Sequence, residues 1–468
     1  LNQMAAFEEK QAMEWVKAFE QVIAQDTPEP EPAVETEAGE PESAPEIVQQ
    51  EEEKEKEPAK KSTSVTDTSL VGKLAGSGLL KKLPQNRFCF SHPAFAAYLT
   101  GQALRGPGAA EPILKQPAWS GRTQVMRYLA AFTDATPLIQ TLLNEEDDPI
   151  LLRPQRQIAM LVRHAPRNAP WRNSAIAGLL EVLQNDEHPL ALRGEIISAF
   201  ALTGDPHIAA LFRQLLQSPS DKLRQLAALG LGLMSDAKSI DALANLLAMS
   251  VGHTQSAACL ALVAIGTPTA LENVATALLQ GDEDLRQSAA EALANDPNEG
   301  REALREGIAS EDILLRRAIV YGLARIPEEW AEELLQKTQI EDTQWVVRNV
   351  AVELLESRKR PNPRIPRRLQ EPSEMPWLVE FAGRQGMGIS PGQAATDMLI
   401  QAFKGENPEE QRTALAYLRH KPSEGIIGTL YNAYYIIDHP QREMVYQTLK
   451  EYAAGGVQLP APMQFGLG

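Results

Sequence analysis

The sequence predicts an all-α chain dominated by an α-solenoid, with an acidic linker and a small mixed unit ahead of it. Three observations support this. An Arg-x-x-small-small pattern recurs with its arginine at Arg156, Arg193, Arg224, Arg286, Arg316, Arg348, Arg412 and Arg442, and Thr254 fills the same slot between Arg224 and Arg286. The steps are 37, 31, 30, 32, 30, 32, 64 and 30 residues, the 64 being two periods of 32. A fixed period of this length is the mark of stacked two-helix units. Ala and Leu dominate the second half, and apolar residues there recur at helical rather than strand spacing.

Residues 1–26 read as an isolated amphipathic helix whose apolar face holds Ala6, Met13, Trp15, Val16, Phe19, Val22 and Ile23. Residues 27–68 read as a disordered acidic linker. Thr27 to Lys61 holds 12 Glu against 4 Lys, a local balance of −8, with Pro28, Pro30 and Pro32 alternating with Glu29 and Glu31. Such a segment buries too little apolar surface to offset its ordering entropy. An acidic lure for a basic partner is the functional alternative.

Residues 69–116 read as a winged-helix-like unit. Leu70, Val71, Leu74, Leu79 and Leu80 suggest a short helix, Arg87-Phe88-Cys89-Phe90 alternates like a strand, and Ala94 to Leu104 form a helix with Ser91 as its expected N-cap and Pro93 in its first turn. Cys89 and Cys259, the two cysteines, are expected to be buried thiols.

Helix pairs are expected over 117–357, roughly eight to nine in the whole chain. Around Arg224, the positions Leu223, Leu226, Ala227, Gly230 and Leu231 form one stripe, Ser235-Asp236 ends the helix, and Ile240, Leu243, Ala244 and Leu247 form the next stripe. Gly230 and Gly232 admit a neighbouring helix. Asp221, Asp284, Asp312 and Asp342 precede arginines and are placed to cap helices or to pair with arginines of adjacent units in a ladder. A basic, Pro-rich insertion occupies 358–390, pairs resume over 391–454, and 455–468 reads as a flexible tail.

The stretches Asp221–Gly232 and Asp284–Ala294 resemble the Asp-x-x-Val-Arg-x-x-Ala-Ala-x-Ala-Leu-Gly motif of HEAT repeats, in the short form found in bilin-lyase-like proteins. Arg316–Ala324 and Arg348–Leu355 match it less closely. The resemblance implies a HEAT-like, armadillo-like fold. Leu79 through Leu99, with Phe90-Ser91-His92-Pro93-Ala94-Phe95 at its centre, is similar to the winged-helix end of NACHT/STAND-type signalling NTPases. That likeness implies a histidine, here His92, able to meet nucleotide phosphates. No Gly-x-x-x-x-Gly-Lys-[Ser/Thr] occurs in the chain, so an ATPase domain would have to precede Leu1.

A net charge of −17 argues against nucleic acid as the main partner. No Cys/His cluster suggests a metal, and no apolar run approaches a membrane span. His188, His207, His253 and His439 sit in turns or at helix starts, and no catalytic grouping or cofactor motif stands out. The strongest candidate contact is the run Arg358, Lys359, Arg360, Arg364, Arg367 and Arg368, a loop of one sign in an acidic chain. Polar residues of second helices, Asp241, Asn245, Glu272, Asn273 and Thr276, are a weaker candidate surface. The expected function is a non-enzymatic cytoplasmic scaffold with a protein partner. The alternatives are the sensor half of a NACHT/STAND-type NTPase and a bilin-lyase-like enzyme.

Overall fold

A computed structural model describes residues 70–84, 87–104, 113, 121–143, 150–359 and 370–466. The expected helix at 1–26, the linker at 27–68 and most of the basic run lie outside the described residues. The chain divides into two compact units, with the boundary between Thr133 and Asp134.

In the first unit, α1 (Leu70–Gly76) leads into an antiparallel hairpin of β1 (Leu80–Leu83) and β2 (Arg87–Phe90), with Leu80 opposite Phe90 and Leu83 opposite Arg87. Then come α2 (Pro93–Ala103) and α3 (Arg122–Phe132). Leu79 and Leu80 do not continue α1 as the sequence suggested. Gly78 takes φ +80, a conformation glycine adopts freely, and the chain turns there into the first strand. Leu74, Leu79 and Phe95 form a small core, with Leu80 and Phe90 packed on it. The hairpin's alternation leaves Cys89 on the open face, so this thiol is exposed, not buried as expected. Ser91 is not the cap of α2. Its hydroxyl donates to the Gly78 carbonyl, and His92 Nδ1 accepts from the Ala94 amide at 3.2 Å. Gly101 sits under Tyr128, whose ring meets those of Tyr98 and Phe132.

The second unit is an α-solenoid. Its helices are α4 (Thr136–Leu143), α5 (Arg153–Val162), α6 (Arg172–Gln184), α7 (Leu190–Ala201), α8 (Pro206–Leu215), α9 (Asp221–Leu233), α10 (Ile240–Met249), α11 (His253–Ile265) and α12 (Pro268–Gln280). They continue with α13 (Glu283–Leu293), α14 (Glu299–Gly307), α15 (Ile313–Leu323), α16 (Glu329–Glu341) and α17 (Trp345–Lys359). The odd-numbered helices from α5 to α17 pack side by side in one layer and the even-numbered helices form the other. N-termini of odd helices and C-termini of even helices therefore share one edge, which we call the leading edge.

Small residues set the spacing of the odd layer. A Cβ on Gly232 of α9 would stand 2.7 Å from Ala261 Cα of α11, and one on Gly322 of α15 would stand 2.7 Å from the Ala290 carbonyl oxygen of α13. Gly230 is filled instead by the Phe212 ring of α8. Ser235, at φ +50, ends α9 where the sequence placed its break.

The last helices do not extend the stack beyond α17. They are α18 (Pro376–Arg384), α19 (Gln393–Lys404), α20 (Pro408–Leu418), α21 (Glu424–Tyr435) and α22 (Arg442–Ala454). They build one apolar cluster around Phe403, Leu415, Leu418, Tyr431, Tyr446 and Leu449, and that cluster takes in Ile150, Leu151 and Leu192 from the start of the array. The segment after α22, expected to be loose, lies on this block. The Tyr431 hydroxyl donates to the Pro460 carbonyl at 2.8 Å, and the Phe465 ring fills the space over Gly428.

Gly232→Ala is expected to lose about 1–3 kcal/mol in urea denaturation, because overpacking against a neighbouring backbone outweighs the roughly 1 kcal/mol of helix propensity gained. Gly194→Ala, where the nearest atom is Leu226 Cδ2 at 3.9 Å, should be neutral or stabilising.

Candidate functional site

Carbonyls at helix ends and in the turns between units need donors once the next helix covers them. The recurring polar residue near the start of each odd helix from α7 to α17 provides one. Arg193 Nε donates to the Leu183 carbonyl at 2.8 Å and Arg224 Nη1 to Ser218 at 2.7 Å. Arg286 Nε reaches Gly281 at 2.7 Å, Arg316 Nη1 reaches Ser310 at 2.8 Å, and Arg348 Nη1 reaches Asp342 at 2.5 Å. Where the sequence pattern pointed to Thr254 and Arg412, the donor stands one residue away, after Thr254 and before Arg412. Gln255 Nε2 donates to Leu247 at 3.0 Å and is buried, and Gln411 Nε2 donates to Gly405 at 2.7 Å and is buried, while Arg412 is exposed. The search for arginine missed these glutamines. Their signal was an amide-bearing side chain beside the expected slot.

The same arginines form the expected ladder over two rungs. Arg286 pairs with Asp312 at 2.6 Å, and Arg316 pairs with Asp342 at 2.8 Å. Asp312 also accepts from the Leu314 and Leu315 amides and so caps α15. The Arg286 hydrogen bond holds the Asp312 carboxyl below the usual range, and Arg316 does the same for Asp342. The rung from Arg224 is absent. The next odd helix, α11, is capped by Gly252 and begins at His253, with no carboxylate there, so Arg224 turns to Asp221 of its own helix. The caps differ from the sequence reading in two units: Ser220 rather than Asp221 caps α9, and Asp282 rather than Asp284 caps α13.

A second ion pair is more deeply buried. Arg172 Nη1 meets Asp205 Oδ2 at 2.6 Å, tying the start of α6 to the N-cap of α8. Burial alone would raise the Asp205 carboxyl. The Arg172 guanidinium and the His207 amide and ring overcome it and hold the group at about 2.

Of the basic run, Arg358 and Lys359 close α17. The Arg358 guanidinium points back onto the array, donating to the Leu323, Ala324 and Ile326 carbonyls, with Glu332 3.7 Å away. This takes up the donors the sequence reading assigned to a partner. Arg360, Arg364, Arg367 and Arg368 lie outside the described residues. The polar residues of α12 are used locally, Asn273 donating to Thr269 and Thr276 to Glu272 within the helix. Among the described residues, no group of three or more His, Cys, Asp or Glu could hold a metal, and no helix is long and apolar enough to cross a membrane. Cys259 is buried, which pushes its thiol up to about 12.

The feature with the geometry of a binding site is the leading edge. The block α18–α22 is docked there, on the first helices of the array. Glu443 of α22 accepts from the Leu190 amide at 2.7 Å and the Ala191 amide at 3.4 Å, supplying the N-terminal cap that Pro189 cannot give α7. Arg442 Nη2 donates to the Glu187 carbonyl at 2.6 Å. Glu195 of α7 lies between Arg156, at 2.8 Å, and Lys450 of α22. Burial works against this carboxylate, and the two cations keep it below the usual range.

A family model of HEAT repeats matches residues 176–252 and 208–294, the stretch from α6 through α13. Residues 176–294 are thus similar to HEAT repeats. Among solved structures, human deoxyhypusine hydroxylase in complex with glycerol is similar at 17% identity over 56% of this chain and 96% of that one, with a TM-score of 0.21. An engineered protein is similar at 17% identity over 69% of this chain and 94% of its own, with a TM-score of 0.25. No curated protein matches the chain.

Asp205→Asn is expected to cost the HEAT-like array about 3–5 kcal/mol, since Arg172 is left charged and buried. Asp312→Asn, at a half-exposed carboxylate, should cost about 1 kcal/mol. Because the folded Asp205 titrates near 2 and the unfolded one near 3.8, its contribution is complete above pH 4 and lost as pH falls towards 2. Urea midpoints across that range should converge for wild type and Asp205→Asn. For the docked block, Glu443→Ala should speed hydrogen exchange at the Leu190 and Ala191 amides without affecting the first turn of α13.

Proposed function

We propose that the chain is a non-enzymatic, cytoplasmic scaffold that binds protein partners along its HEAT-like array. The observation carrying this reading is that the leading edge already holds a helical block of the same chain, through Arg442, Glu443 and Lys450 on the first turns of α7. A surface held by buried side chain to carbonyl bonds needs little ordering to bind, so a modest contact area yields useful affinity. Two free cysteines accord with a reducing compartment. Arg360, Arg364, Arg367 and Arg368 offer a second contact, for an acidic partner. Changing Arg364, Arg367 and Arg368 together to Glu should abolish its recovery in pulldown.

The scaffold reading is tested in cells with a photo-crosslinking amino acid placed in the full chain. At the positions of Val251 or Trp345, on the leading edge, discrete polypeptide adducts are expected. At Leu202 or Leu233, on the opposite edge, they are not. Identical adduct patterns from both edges, or none from either, would overturn the proposal.

A further inference from the structure

The leading edge has a docked part and an open part. At α5 and α7 it is covered by α22, whose Val445, Tyr446 and Leu449 share one apolar cluster with Ile150, Leu151 and Leu192. Arg442 and Lys450 bracket that apolar stretch of α22 and meet the Glu187 carbonyl and the Glu195 carboxylate. Further along, from α10 to α17, the same edge carries the five most exposed large apolar side chains of the described array. These are Met249 at 85%, Val251 at 81%, Ile340 at 75%, Trp345 at 68% and Leu279 at 56%. No other exposed large apolar residue between α4 and α17 exceeds 47%, and Ile313 and Leu314 add to the row. The row falls on successive units because each places the end of an even helix beside the start of an odd one.

The charge left unpaired beside this row is acidic. Asp282 and Glu311 stand in its turns and Asp284 in the first turn of α13, and Asp284 and Glu311 have no ion-pair partner among the described residues. The arginines nearby are committed, Arg286 to Asp312, Arg316 to Asp342, Arg317 to Glu283 and Arg348 to the Asp342 carbonyl. Three steps of the even layer from α10 to α16 span roughly 25–30 Å, the length of a helix of about 18 residues.

We infer that the leading edge from α10 to α17 is a docking site for an amphipathic helix of a partner protein, with an apolar stripe bracketed by lysine or arginine. Its pattern is that of α22, and its site continues the one α22 occupies. The apolar stripe covers Met249, Val251, Leu279, Leu314, Ile340 and Trp345, and the flanking cations meet Asp284 and Glu311. This deepens the scaffold reading and rests on it.

The test uses the full chain and two fluorescein-labelled 18-residue model helices, one of Leu and Lys in amphipathic register and one with Glu in place of every Lys. Anisotropy should show saturable binding of the Leu/Lys helix only. The triple variant Leu314→Ser, Ile340→Ser and Trp345→Ser should bind it roughly tenfold more weakly or worse, with an unchanged melting temperature. The double variant Ile436→Ser and Ile437→Ser, on exposed residues after α21, should bind as wild type does. Asp284→Asn with Glu311→Gln should weaken binding and flatten its salt dependence. Equal binding of the two helices, or undiminished binding by the triple variant, would overturn the inference. So would sedimentation as a dimer that the triple variant dissolves, since a second copy would then be the occupant. If the Leu/Lys preference fails while cross-linking at Trp345 persists, only the chemistry of the partner is lost. If both fail, the scaffold reading falls as well.

Discussion

The covered carbonyls between one unit and the next constrain the rest of this structure. A helix leaves its last four carbonyls without intrahelical partners, and in a stack the next helix removes water from some of them. Leaving such groups unsatisfied costs more than an ordinary hydrogen bond gains. Each unit therefore needs a long donor reaching back from the start of its odd helix. Arginine at Arg193, Arg224, Arg286, Arg316 and Arg348 meets that need, and so does the amide of Gln255, while Gln411 does the same in α20 of the docked block. This explains why the arginine period is so regular, and also why it can lapse without interrupting the stack.

Ion pairing is a second use of the same side chains and is more easily dispensed with. Arg286 and Arg316 each give the remaining guanidinium edge to a carboxylate of the following unit, Asp312 and Asp342. At α11 no carboxylate is present, and the array continues unbroken on the contact between Gly232 and Ala261. Small residues hold the odd layer together, and charge adds alignment. The buried Arg172–Asp205 pair is different in kind, since neither partner can be removed without stranding the other away from water.

The solenoid was legible in the sequence because the two demands it makes on residues repeat. Apolar stripes at 3.6 spacing gave the helices, and the arginine period gave the units. Three things were not legible. A glutamine one position to either side can take the arginine's place, as Gln255 and Gln411 do, and a pattern of one residue type does not show it. Leu79 and Leu80 look like the end of a helix, and only the positive φ of Gly78 turns the chain there into a strand that begins at Leu80. The return of α18–α22 to the start of the array depends on contacts between residues some 250 positions apart, such as Lys450 with Glu195, and no local pattern encodes these. The basic run drew attention by its charge. Of it, Arg358 proved to be committed to the carbonyls at the end of α15.

The exposed apolar row escaped notice in the sequence for a related reason. Met249, Leu279 and Ile340 lie at or one short of the C-terminal ends of even helices, Val251 in a turn, and Trp345 at the first position of an odd helix. In a linear reading each looks like one more member of a helical stripe. Only the alternation of helix direction brings them to one side, 30 or so residues apart in sequence and one helix apart in space. The same alternation puts the N-terminal amides of α7 on that side, where the carboxylate of Glu443 finds them. A stacked array with one edge built this way presents, unit after unit, a greasy position next to a helix start. The chain covers the first of these with its own last helix. On the later units Asp282 and Asp312 already cap the helix starts, so a carboxylate like that of Glu443 has no amides left to meet. What remains there is apolar surface and unpaired acid, which favours a ligand that brings cations.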